Sequence, residues 1–361
     1  MKPCPERAGI MPRMMVTRVS LLIMSASACA LGQVTPDRMY YGVGRAVPMT
    51  VRWATDAGND GQSEARVELF RFGGESPVAS APVTAGAINM GSLFPTLWAD
   101  VSAGVLYAQL TVGEMRVGPP VVLRPLHSPS RAMLYSPEAG RPYYLDPVTK
   151  VESIDPKKGE LIYIPDPPAF TGICAYVEKH VELNTTAGTI ELMLRPDQAP
   201  NTAMNFMHLV EGGFYTDIIF HRIVPRTANG HPFVIQVGDP TGGGDGGPGY
   251  AIDLEDSKLP HDFGVISMAR DTDPNTNGSQ VFICLSREGT ARLDGRYTAF
   301  GHAVSGSDVI QAIGASPVNG DKPIDPPILL SARLIDAPPF GLGPRPVTRP
   351  APPPTAPVQG R

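Results

Sequence analysis

The chain has 361 residues, 42% of them hydrophobic, with 40 prolines and 38 glycines. That is a globular composition with room for two or three domains, built from strands and loops rather than long helices. With 30 basic against 35 acidic residues the net charge is −5, which gives no support to a nucleic-acid partner.

Residues 1–30 read as an export signal. A polar, basic segment runs through Arg18, Leu21-Leu22-Ile23-Met24 forms a short apolar core, and small residues continue to Ala30. Met11 and Met14 are alternative starts. Ala26-Ser27-Ala28 fits a peptidase site, whereas Ser27-Ala28-Cys29 fits a lipoprotein site in which a lipidated Cys29 attaches the chain to a membrane; both readings stand. The apolar core is too short to span a bilayer, and no later segment reaches the roughly 20 apolar residues required. The expected location is therefore outside the cytoplasm, periplasmic or associated with the cell envelope.

Residues 38–125 read as a small β-sandwich. Met49 to Trp53, Ala65 to Phe70 and Leu106 to Val112 alternate at period two, with Asp56 to Gly61 and Gly73-Gly74 as turns. Each alternating strand has one face to bury against a second sheet. Residues 126–177 carry aromatics among prolines, in Arg141 to Pro147 and Ile162 to Pro168, and read as a connector rather than a separate ligand surface.

From 178 to 336 the pattern is that of one compact domain. Val181 to Leu194 reads as a hairpin around Ala187-Gly188. Pro200-Asn201-Thr202 opens a helix that buries Ala203, Phe206, Met207 and Val210 and closes at Gly212-Gly213. Strands follow near 217–224, 233–237, 264–268, 281–285 and 297–303. A second helix starts at Ser307-Asp308 and stops at Gly314, and Ile328 to Ile335 forms a last strand. The fold class expected is mostly β: a closed eight-stranded barrel capped by two helices. Residues 337–361 hold nine prolines and read as an extended or disordered tail.

Two stretches carry the chemistry. Phe220-His221-Arg222 sets an arginine in a strand, and Ser267 to Phe282 joins two apolar strands through a polar loop. An arginine, a polar loop and aromatics suit a shallow peptide-binding groove better than covalent chemistry. A strand arginine alone usually serves a surface ion pair. Thr241 to Gly247 lacks the Gly-Lys-Ser/Thr ending of a phosphate loop and reads as a flexible loop near the groove. Cys174 and Cys284 read as buried thiols rather than a disulfide. These cysteines and the seven histidines show no metal-ligand spacing, and no cofactor is implied.

A series of separated motifs runs in order along this domain: Ala199-Pro200-Asn201-Thr202, Phe214-Tyr215, Phe220 to Pro225, Gln236 to Pro240, Gly264 to Ala269, Pro274 to Ile283, Leu293-Asp294-Gly295 and Phe300-Gly301. With these motifs, residues about 180 to 335 resemble the cyclophilin-type peptidyl-prolyl cis-trans isomerases. The resemblance covers a little under half the chain. It implies acceleration of Xaa-Pro rotation, with proline-containing peptides and unfolded proteins as partners. It makes Arg222 the catalytic arginine, and Phe233, Val234, Phe282 and Leu293 the lining of the proline pocket. Gln236 and Gln280 would orient the arginine and the peptide, Ala269 and Arg270 would pair with the peptide backbone, and His221 and Tyr297 would form the rim. His221 is read as a rim or structural residue because the reaction transfers no proton in net terms. The reading requires that the Arg222 guanidinium face the aromatic hollow and not be locked to an acidic neighbour.

Several positions depart from the family pattern. Arg226 to Pro232 lengthens a loop, Arg292 stands where many eukaryotic members have a tryptophan that contacts cyclosporin, Tyr297 replaces a histidine and Val234 a methionine. The loop around Arg270 is one residue longer. These imply weak cyclosporin binding and an altered rim on an active enzyme. Two other readings stay open: a proline-peptide binding module, and a structural envelope protein with incidental catalysis.

Overall fold

The computed structural model describes residues 32–53, 64–98, 104–127, 132–136, 141–144, 160–163 and 170–350. The export signal with Cys29, the residues beyond 350 and part of the stretch from 126 to 177 lie outside them. Among the described residues no helix is long and apolar enough to cross a membrane.

The first unit contains β1 (Gly32–Pro36), β2 (Tyr40–Gly42), β3 (Pro48–Trp53), β4 (Ala65–Arg71), β5 (Ala79–Val83) and β6 (Gly86–Asn89). A four-residue helix, α1 (Met90–Leu93), then leads to β7 (Leu106–Val112) and β8 (Met115–His127). Three short strands follow, β9 (Ala132–Ser136), β10 (Arg141–Tyr144) and β11 (Glu160–Tyr163), and form a sheet of their own in the order β10-β9-β11. Next comes β12 (Phe170–Val177), which pairs antiparallel with both β8 and β2. Sheets β1-β3-β6 and β2-β12-β8-β7-β4-β5 enclose a core that includes Met49, Val67, Leu69, Leu110 and Val121. Strand β12 belongs to that second sheet although it lies in the stretch read as connector. The bulge at Gly172 allows this: its φ is 152°, and an added Cβ would sit 2.1 Å from the Tyr41 carbonyl oxygen.

Only Glu178 separates β12 from β13 (Lys179–Thr185), which forms a hairpin with β14 (Gly188–Leu194). Ile190, Leu192 and Leu194 alternate inward from β14. Helix α2 (Pro200–Glu211) buries Ala203, Phe206, Met207 and Val210. Its N-cap, Ala199, has no side chain to offer. The Glu255 carboxylate, from a distant loop, instead accepts from the N–H groups of Asn201 (3.0 Å) and Thr202 (2.7 Å).

The remaining strands are β15 (Ile218–Ile219), β16 (Arg222–Val224), β17 (Val234–Val237), β18 (Val265–Met268) and β19 (Val281–Cys284), then the one-turn α3 (Arg287–Thr290) and β20 (Ala299–Ser305). Helix α4 (Ser307–Gly314), a small hairpin of β21 (Val318–Asn319) and β22 (Lys322–Pro323), and β23 (Ile328–Asp336) complete the order. Helix α2 packs on β20 and β23, and α4 on β14, β16 and β17.

The expectation of a closed eight-stranded barrel is wrong. The sheet has nine strands in the order β15-β23-β13-β14-β20-β18-β19-β17-β16, curled but open. The run from 217 to 224 breaks at Phe220-His221, so its first half pairs with β23 and its second with β17. The free edge of β16 meets the β21–β22 hairpin instead of a strand: the Ile223 N–H donates to the Asp321 carbonyl at 2.8 Å. The two ends of the sheet therefore never share a ladder.

Residues 337–350, within the stretch expected to be extended or disordered, are seated against both units. The Val347 N–H donates to the Ala303 carbonyl at 2.9 Å, and Phe340 is buried.

Candidate active site

The pleat determines which residues reach the groove. On β16, β17 and β19 the paired residues Ile223, Ile235 and Ile283 belong to the main core. Their neighbours Arg222, Gln236 and Phe282 also pair across the strands, and therefore form one row on the opposite face. Two residues along, Val224, Val234 and Cys284 form the next row on that face. There they join a second apolar cluster with Phe233, Phe282 and Leu293, against which Ala269 and Tyr297 pack.

Arg222 is held from two sides. Its Nη1 donates to Gln236 Oε1 at 3.3 Å, while Nε and Nη2 donate to Asp321 Oδ2 at 3.1 and 3.0 Å. An acidic neighbour is thus present, but the pair is wet: the side chains are 40% and 52% exposed. Three of five guanidinium N–H groups are engaged, leaving one free on each Nη. The cation is braced rather than locked.

Behind Arg222 runs a chain of amides. Gln236 Nε2 donates to Gln280 Oε1 at 2.9 Å, and Gln280 Nε2 donates to the carbonyls of Gly244 (2.6 Å) and Gly246 (2.9 Å). The glycine-rich loop, expected to be flexible, is held by these bonds at Gly244 and Gly246. Asp239, fully buried, accepts from the Thr241 N–H and hydroxyl at 2.7 and 2.8 Å and from the Gly244 N–H at 2.5 Å. Burial would raise its pKa, but these bonds outweigh that and hold it at about 2. A cavity of about 570 Å³ opens beside this network, lined in part by Gly244, Asp245, Arg270, Asp271 and Gln280.

The aromatic wall has its own support. Phe282 meets Tyr297 edge-on, with centroids 5.8 Å apart, and stacks on His261 at 6.0 Å and 17°. Burial, opposed by Asp294, pushes the His261 pKa down. Its Nδ1 lies 2.9 Å from Asp294 Oδ1 and its Nε2 3.0 Å from the Ser267 hydroxyl, so the ring is fixed at both nitrogens. Arg292 places its guanidinium 4.7 Å from the centre of the Phe233 ring, and Arg270 does the same over Tyr297 at 4.6 Å.

The candidates therefore divide. Arg222, Gln236 and Phe282 share a row, and Phe233, Val234, Leu293, Ala269 and Tyr297 gather around it. Gln280 stands behind Gln236. Ala269 spends its N–H on the Gln280 carbonyl at 2.9 Å. His221 is buried, with neither ring nitrogen hydrogen-bonded among the described residues, and burial, opposed by Asp239, pushes its pKa down. Cys174 and Cys284 are both buried and free. Sequence reasoning missed Asp321, His261 and Asp239. Asp321 had a signal in the Asn319-Gly320 turn dipeptide before it, and Asp239 lies within the motif Gln236 to Pro240, but neither was given a role.

Known proteins share this part of the chain. The family described as "Cyclophilin type peptidyl-prolyl cis-trans isomerase/CLD" matches residues 180–334. Peptidyl-prolyl cis-trans isomerase-like 1 of Aspergillus oryzae is 41% identical over 162 residues, which is 43% of this chain and 95% of that protein. Peptidyl-prolyl cis-trans isomerase cypE of Dictyostelium discoideum is 42% identical over 153 residues, 41% of this chain and 92% of its own. A crystal structure of a Cryptosporidium parvum cyclophilin type peptidyl-prolyl cis-trans isomerase, in the presence of the dipeptide Ala-Pro, is 34% identical. It covers 43% of this chain and 98% of its own, with a TM-score of 0.40. With about two fifths of residues identical over more than nine tenths of the Aspergillus and Dictyostelium proteins, the chain belongs to the cyclophilin-type peptidyl-prolyl cis-trans isomerases and is an isomerase that binds proline-containing peptides.

Proposed function

We propose that the isomerase domain turns Xaa-Pro bonds in exported client proteins, in the periplasm or cell envelope, with Arg222 as its catalytic residue. A prolyl amide resists rotation because the nitrogen lone pair is delocalised into the carbonyl. Twisting returns the lone pair to nitrogen, which becomes a hydrogen-bond acceptor only near the transition state. A guanidinium N–H met at that point stabilises the twisted bond more than either planar form. Arginine suits the task because it stays charged and presents a rigid fork. The observation that carries this reading is the cross-strand row in which Gln236 stands between Arg222, two of whose guanidinium N–H groups are unengaged, and Phe282.

The magnitudes require more than the cation. Shortening exchange from roughly 100 s to roughly 1 ms takes about 7 kcal/mol of barrier lowering. One charge-assisted hydrogen bond supplies about 2–4 kcal/mol. The remainder falls to the apolar cluster of Phe233, Phe282 and Leu293, which would hold the proline ring while the carbonyl swings.

The export reading rests on the basic-then-apolar pattern of residues 1–30. The chemistry is tested by assaying a tetrapeptide series with intact protein and Arg222→Ala. A fall of at least about tenfold in kcat/KM is expected, and an unchanged rate would remove Arg222 from the mechanism. Cell fractionation with a cytoplasmic marker tests the location.

A further inference from the structure

We infer that Asp321 is a positioning residue for Arg222, holding the guanidinium from the solvent side so that its two remaining N–H groups stay with the groove. The inference rests on the reading of Arg222 as the catalytic residue.

The carboxylate is itself built in. Asp321 sits in the two-residue turn between β21 and β22, where Asn319 pairs with Lys322. Gly320 has φ 64° and is the only one of the two central residues with positive φ, as a type II′ turn requires. The Asp321 carbonyl accepts the N–H of Ile223, the residue next to Arg222. Backbone and side chain of one aspartate thus bind two consecutive residues of β16. Gln236 holds Nη1 from β17, so the fork is gripped by acceptors carried on two separate elements.

With both side chains partly exposed, solvent screens the attraction, and the contribution is mainly geometric: a long, rotamer-rich side chain is kept in one pose. A carboxylate also damps the cation's charge, which would slow the reaction. The two effects have opposite signs, so substitution separates them. Asparagine keeps an oxygen acceptor at the same reach without the charge, and alanine removes both.

The test measures exchange of an Ala-Xaa-Pro-Phe tetrapeptide by NMR, with full-length protein, giving kcat and KM separately, and follows Tm for each variant. Asp321→Ala is expected to lower kcat about three- to fivefold, the scale of one partly exposed ion pair, with KM near that of the parent. Asp321→Asn should retain at least half the parent kcat, and Asp321→Ala in an Arg222→Ala background should cost nothing further. An unchanged or raised kcat for Asp321→Ala overturns the inference, as does an equal loss in both Asp321 variants accompanied by a drop in Tm. Full activity in Arg222→Ala would overturn the catalytic reading itself, an outcome distinct from either of these.

Discussion

Phe340, in the C-terminal tail, stacks on Phe70 of β4 with ring centroids 4.8 Å apart and planes at 24°. The contact fastens the end of the isomerase domain to the first domain. The Phe340 N–H donates to Gln109 Oε1 at 2.7 Å, its carbonyl accepts from Arg116 Nη1 at 2.8 Å, and the Arg116 guanidinium lies 4.3 Å from the Phe70 ring centre. Phe340→Ala should destabilise the intact protein by about 3 kcal/mol, the low end for loss of a buried aromatic. Urea denaturation measures this. Isomerase activity should stay close to that of the parent, because Phe340 and the groove residues belong to separate apolar clusters.

Glu178 gives the joint a pH dependence. It lines a cavity of about 410 Å³ with Tyr107, Phe72 and tail residues, and burial, then Asp197, pushes its pKa up to about 8. The folded state therefore binds this proton more tightly than the unfolded chain, whose carboxylate titrates near 4.5. The group's contribution is fully present below the unfolded value and is lost as pH rises toward 8. Glu178→Gln should flatten that fall, with a gain of roughly 1–3 kcal/mol at pH 8.5 that vanishes near pH 4.5. Thermal melts of both proteins across this range check it.

Glu255 caps a helix that begins without a capping side chain. Glu255→Ala leaves the Asn201 and Thr202 N–H groups without their acceptor and should cost about 1–2 kcal/mol. Glu255→Gln, with only one acceptor oxygen, should fall between alanine and the parent. Calorimetry on the three proteins gives the order.

Arg292 covers the Phe233 ring, where many relatives have the tryptophan that contacts cyclosporin. Arg292→Trp should tighten cyclosporin inhibition by roughly tenfold, about 1.4 kcal/mol. Inhibition titrations of the isomerase rate decide it; an unchanged constant would mean that Arg292 is not what sets cyclosporin affinity, leaving Tyr297 and Val234 as the next positions to test.

Local pattern carried much of this architecture. The alternation in β13 and β14 and the apolar faces of α2 and α4 depend on residues a few positions apart, and so can be read from the chain. Arg222, Gln236 and Phe282 were legible as candidates through their motifs, and the period-two pleat then explains why they share a row. Features set by distant partners were not legible. Asp321 lies 99 residues from Arg222, and the open ends of the sheet depend on which neighbours each half of 217–224 finds. In the tail, proline content hid one aromatic, Phe340, that finds a seat on a surface more than two hundred residues earlier.

A junction of one residue, Glu178, leaves no slack between the two domains. Any polypeptide held by the first domain would meet the groove at a set bearing, as between the jaws of a caliper.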